Sequence, residues 1–140
     1  MPRVDFYILS ESASRENFSC DLAAKIQKQN LGLHIQTGSR DEACRLDDLL
    51  WTFRDISFVP HSLCDADDLD SNNISLGWPG VNTPHSDVLL NLDAVIPNNA
   101  GDFDRVVEIV PPDESYKAEA RQRYKHYRDN GYELHNHDMR

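Results

Sequence analysis

His135 and His137 stand two residues apart near the C-terminus, a spacing that puts two imidazoles on one side of an extended segment and could begin a metal site. Two imidazoles at a terminus do not make a full ligand set, so HNHD reads as a frayed polar tail. The acidic run Asp65, Asp67, Asp68 and Asp70 invites calcium. An EF-hand loop begun at Asp65 would put Leu69 at its fifth position, Asp70 where glycine is needed and Leu76 where the bidentate Glu belongs. The template fails, and Cys64 to Asn73 reads as a solvated acidic loop. Cys20, Cys44 and Cys64 are too widely spaced for a disulfide framework or a zinc ribbon, and are expected to be free, mostly buried thiols. His34, His61, His85 and His126 are scattered, and none is matched with a plausible Ser or Cys nucleophile: Ser62 and Ser86 adjoin His61 and His85, but triad groups meet in space rather than in sequence. No metal, cofactor or catalytic constellation is expected.

The basic residues are less evenly spread. From Ser115 to Asn130 five basic residues face two acidic ones, a net +3, while the rest of the chain holds nine against 22, or −13. At 100° per residue Lys117, Arg121, Tyr124 and Arg128 share a helical stripe about 60° wide, with Lys125 and Arg123 on the same helix. Tyr116, Ala120 and Tyr127 fall on the neighbouring face and are expected to pack on a sheet, which puts the stripe at the margin of the buried side, where it can wall a groove. Few carboxylates on the helix can neutralise it. A cationic stripe with an aromatic and an apolar border suits a carboxylate-bearing peptide better than a phosphate backbone. The net charge of −10 also argues against direct nucleic-acid binding, which draws its affinity from Lys and Arg. Trp51, Phe53, Phe58 and Pro60 form a second candidate patch of large apolar groups around a helix end and a strand.

The elements that must position these residues can be read from periodicity. VDFYIL (Val4 to Leu9) is a buried strand; Phe18, Leu22, Ala23 and Ile26 mark a helix closed by Asn30-Leu31-Gly32; LHIQT (Leu33 to Thr37) is a strand. Ser39 and Glu42 form a capping box for a helix with the stripe Ala43, Leu46, Leu49 and Leu50, ending near Trp51. Further strands are expected at Ile56 to His61, Asn73 to Trp78, Asp87 to Leu92 and Arg105 to Val110, after which Pro111-Pro112-Asp113 leads into the basic helix. The β-α-β-α order implies one α/β domain over residues 1–140, a mostly parallel open sheet with helices on both faces. SESASREN, after the first strand, has no glycine to bring backbone amides to a pyrophosphate, so neither the dinucleotide fingerprint nor a P-loop is present. No apolar run approaches the roughly 18 residues of a membrane span, and the N-terminus lacks a signal-peptide pattern, which points to the cytoplasm.

ACRLDDLLW followed by SFVPH, then ISLGWP, DVLLNL and above all VEIVPPDESYKAEARQRYKHYRDNGYEL resemble the chi subunit of bacterial DNA polymerase III holoenzyme. The resemblance implies a Rossmann-like domain without nucleotide chemistry, a non-catalytic adaptor. Such an adaptor links the clamp loader, through the psi subunit, to the acidic C-terminal tail of single-stranded DNA-binding protein. Matched by motif position, the tail site would comprise Val110, Lys117, Arg121 and Tyr124, with Lys125 and Arg128 nearby. Trp51 and Phe58 resemble the aromatics of the psi contact, to which Phe53 and Pro60 add apolar surface; a repair-related helicase is a further candidate partner there. The acidic loop Cys64 to Asn73, and GVNTPHS before DVLLNL, depart from some relatives and bear on the boundary of that contact. The rival reading is a small α/β hydrolase or transferase holding an anionic substrate on Arg121 and Lys117.

Overall fold

The structure, a computed structural model, describes residues 3–12, 14–52, 61–64, 74–81 and 87–139. Elements follow in the order β1 (Arg3–Ile8), α1 (Arg15–Lys28), β2 (Leu33–Gln36), α2 (Arg40–Thr52), β3 (His61–Leu63), β4 (Ile74–Gly77), β5 (Val88–Asn91), a 3-10 turn (Ala100–Asp102), β6 (Arg105–Val110), α3 (Glu114–Asp129) and β7 (Glu133–Asp138). Among the described residues seven strands form one open sheet in the order β3-β4-β2-β5-β6-β1-β7, and every neighbouring pair is parallel. The architecture is the expected Rossmann-like α/β type.

Period-2 alternation divides the core between the two faces of the sheet. Val107 and Ile109 of β6 join Leu33, Ile35, Ile74 and Leu76 under α1 and α2, whereas Val106 and Val110 join Val4, Phe6 and Leu89 under α3. Helices therefore cover both faces, as a buried parallel sheet requires. The helix ends follow local chemistry. Ser14 caps α1 by accepting from Asn17 N at 3.3 Å, and Asn30, just past the helix, takes the left-handed conformation at φ 60°. At α2, Ser39 Oγ accepts from Glu42 N at 3.2 Å. Glu42 reaches back one residue further than a capping box requires, accepting from Gly38 N at 3.2 Å. None of the three cysteines is in a disulfide; Cys20 is buried, whereas Cys44 and Cys64 are only partly so, and burial, then Asp21 and Glu16, pushes the Cys20 thiol up to about 11.

Of the extended segment expected at Ile56 to His61 only His61 is described, and it opens β3 (His61–Leu63); residues 53–60 lie outside the described set. One expectation needs correction. The HNHD tail is not frayed. It belongs to β7, which pairs with β1 from Arg3↔Glu133 to Ile8↔Asp138 and so satisfies backbone groups that β1 would otherwise leave open at an edge. Its side chains add to the attachment: His137 stacks on Tyr7, with centroids 4.6 Å apart, and its Nε2 lies 2.8 Å from Asp5 Oδ1. Burial would raise the Asp5 carboxyl, but hydrogen bonds from His137, Arg105 and Arg3 outweigh it and hold the group below its ordinary value.

Candidate functional site

α3 starts where the sequence places it, because Asp113 caps it: its carboxylate accepts from Ser115 N at 2.8 Å and Ser115 Oγ at 2.6 Å. Ala120, Arg123 and Tyr127 form its buried side. Phe6 of β1 meets Tyr124 at 5.2 Å and Tyr127 at 6.1 Å between ring centroids, which seats the helix over β1 and β6. Along the outer margin of this seat runs a groove of about 470 Å³. Val110, Lys117, Arg121, Tyr124, Lys125 and Arg128 all line it, so the structure brings together every residue of the candidate peptide site. Phe6, Ile8 and Ala120 complete an apolar floor, and Asn136 of β7 closes the far wall. Those four were read as core, helix packing or tail; parallel register is what delivers Phe6, Ile8 and Asn136 to one face.

The inner side of the helix departs from the expected packing. Tyr116 lies in the first turn and is 38 % exposed, and the Arg15 guanidinium sits over its ring at 5.2 Å. Arg123 takes the inner place. Its Nε donates to Glu108 Oε1 at 2.9 Å, while Tyr127 OH and Asn91 Nδ2 donate to Glu108 Oε2 at 2.8 and 2.9 Å. Burial pushes the Glu108 carboxyl above its ordinary value, against the opposing pull of the Arg123 charge and the donors from Asn91 and Tyr127. Tyr127 is raised too, by burial and then by the Glu108 charge beside it. Glu108 was missed at the sequence level, although one carboxylate inside the apolar strand RVVEIV is itself a signal, since a buried charge needs a partner.

The cations on the groove side are only partly free. Lys117 Nζ lies 3.8 Å from Glu114 and Arg128 Nη2 lies 3.3 Å from Asp129, so the expectation of an unneutralised stripe is corrected at two positions. Both acidic partners are exposed, Glu114 at 82 % and Asp129 at 54 % of the side chain, and such pairs are worth about 1 kcal/mol or less. They yield readily to a better-placed carboxylate. Among the described residues, no acidic side chain pairs with Arg121 or Lys125.

The second candidate patch lies elsewhere. Trp51, in the last turn of α2, is 49 % exposed. α2 packs over β3 and β4, on the opposite face of the sheet from α3 and toward its other end. Phe53, Phe58 and Pro60 lie outside the described residues, as do Asp65, Asp67, Asp68 and Asp70 of the acidic loop.

Comparison with known proteins places the chain. The family described as DNA polymerase III chi subunit, HolC, matches residues 1–135. This chain belongs to that family. Curated proteins named DNA polymerase III subunit chi resemble it almost end to end. The Pseudomonas aeruginosa protein is 34% identical over 99% of this chain and 98% of its own length. The Haemophilus influenzae protein is 34% identical over 92% of each, and the Escherichia coli protein 30% identical over 96% of each. Chi is an accessory subunit of the polymerase and not its catalytic one, which removes the hydrolase or transferase rival for this chain.

The groove accords with such a role: its side chains can hold carboxylates and an apolar group, and bonds need not be made or broken there. Elsewhere, His34 and His137 are engaged structurally. His137 holds Asp5, while His135 Nε2 lies 3.3 Å from Glu133 without a hydrogen bond. His34, fully buried on β2, donates from Nε2 to Gln36 Oε1 at 3.0 Å and has Ser75 Oγ 2.8 Å from Nδ1; burial lowers its pKa. Among the described residues, no group of three or more His, Cys, Asp or Glu side chains could hold a metal ion, and no helix is long and apolar enough to cross a membrane.

Proposed function

We propose that this chain is a replisome adaptor whose α3 groove receives the acidic C-terminal tail of single-stranded DNA-binding protein, while the Trp51 surface receives psi and thereby the clamp loader. The observation that carries the reading is the composition of one groove: an apolar floor of Phe6, Ile8 and Val110 bordered by Lys117, Arg121, Lys125 and Arg128, in a protein of net charge −10. An acidic peptide is repelled by most of such a molecule and attracted here. Its carboxylates would lie along Lys117, Arg121 and Arg128, and its terminal apolar side chain between Tyr124 and Val110. The opposite placement of Trp51 suits an adaptor, because two partners can then be held without collision; a repair-related helicase is the alternative occupant of that second surface. The chain is proposed to act as one domain, in the cytoplasm, without contacting nucleic acid directly.

Titration of a peptide with several Asp and a free apolar C-terminus tests the reading. Rising salt should weaken the complex, since exposed charges are screened over about 8 Å at physiological ionic strength. Tyr124→Ala should weaken binding with little change in its salt dependence. Untailed single-stranded DNA binding as tightly as the peptide would overturn the proposal.

A further inference from the structure

The other side of α3 carries a surface of opposite character. Between β5 and the 3-10 turn the chain runs through Leu92 to Asn99, and Val95 at its crest is 63 % exposed. That exposure is imposed by the backbone. Asn91 Nδ2 donates to Val95 O at 3.2 Å and Arg123 Nη1 to Ala94 O at 2.9 Å, both from the buried network around Glu108. With two successive carbonyls anchored inward, the Val95 side chain is held out.

Two cavities flank this crest and share Val95, Ile96, Pro97 and Asn98. One, of about 600 Å³, lies toward α3; the other, of about 410 Å³, lies toward Trp78. The charged groups lining them are Asp93, Glu119, Arg123 and His126. Arg123 is neutralised by Glu108, and among the described residues no cation pairs with Asp93 or Glu119. The lining is thus apolar at its centre and anionic at its rim, the reverse of the groove across the helix.

We propose that the Val95 crest is a further docking surface, and that its occupant is a basic segment of a partner protein: an apolar side chain flanked by Lys or Arg. The anchor would lie against Val95, Ile96 and Pro97, and the cations against Asp93 and Glu119. Phosphate backbones carry the wrong charge for this rim. An acidic peptide is excluded from it by the same charge that draws it to the other groove.

The test is methyl-detected NMR on the full chain, titrated with a synthetic Lys-Lys-Leu-Lys-Lys peptide and with its counterpart bearing Glu in place of Lys. The lysine peptide should give saturable shifts at Val95 and Ile96, and the glutamate peptide none there. Glu119→Lys should weaken the lysine peptide about fivefold, the upper range for one exposed ion pair. Val95→Lys should abolish the shift at Ile96. Both positions are exposed, and acidic-peptide binding at the α3 groove, followed in the same samples, reports that each variant is folded and that the groove is intact. Shifts spread over other acidic faces, shifts that survive Glu119→Lys unchanged, or none at all would overturn the proposal. Self-association of the chain through Val95 in sedimentation, assigning the surface to a second copy, would do so as well.

Discussion

Arg121 and Arg123 are two residues apart on one helix and about 160° apart around it. Arg121 projects into the rim of the groove, with no acidic partner among the described residues, while Arg123 is 8 % exposed and hydrogen-bonded to Glu108 and to the Ala94 carbonyl. Counted from the sequence they contribute equally to a +3 segment. In the folded chain only Arg121 keeps its charge at the groove surface. The other, with Tyr127 and Asn91, fixes how α3 lies on the sheet. A charge shapes recognition when it stays in water and unpaired, and shapes architecture when it is removed from water and must be matched.

The sharpest way to break this contrast is to remove one half of the buried pair. Glu108→Ala leaves Arg123 and Tyr127 without their acceptor and should cost about 3 to 5 kcal/mol of folding stability in denaturant titration. Arg123→Ala should fall in the same range. A loss below about 1 kcal/mol would show the two arginines to be alike after all. Next in size, Arg121→Ala should leave stability within about 0.5 kcal/mol of the parent. In calorimetry it should weaken acidic-peptide binding by roughly 1.5 to 3 kcal/mol, as expected for a hydrogen bond to a charged group. Unchanged affinity would remove Arg121 from the site.

A milder effect follows from acid. The folded state lowers the pKa of His34, so the neutral imidazole contributes stability that is fully present above the ordinary value of 6.5 and is lost as pH falls below it. Asp5 is also lowered, and its contribution is lost on acidification below its ordinary 3.8. His34 therefore pulls thermal midpoints down as pH drops from 7 toward 5, against a contribution of opposite sign from the raised Glu108 carboxyl, and His34→Gln should remove the His34 share of the slope. The smallest expected change is at the half-exposed Trp51, where Ala should cost well under the roughly 3 to 5 kcal/mol of a buried aromatic while weakening capture of psi from a mixture of purified subunits. Loss of stability in the buried range would move Trp51 from partner surface to core.

Much of the architecture was legible from the chain. Largely apolar runs such as RVVEIV and VDFYIL mark buried strands, Ser39 and Asp113 mark helix starts, and the spacing Lys117, Arg121, Tyr124, Arg128 marks one stripe. These are local regularities, and local geometry is nearly independent of what the rest of the molecule does. The family, too, followed from the chain, through long contiguous motifs. Tertiary structure alone decided the rest. It made β7 out of a polar tail, because the open edge of β1 supplied partners that no reading of HNHD contains. It put Arg123 in the core, because Glu108 and Asn91 converge on one spot from separate strands, and left Tyr116 outside under the Arg15 guanidinium. It completed the groove floor with Phe6, Ile8 and Asn136, residues far apart in the chain that parallel pairing sets side by side. Periodicity states which face a residue shares within its own element; only the register between elements states what that face meets.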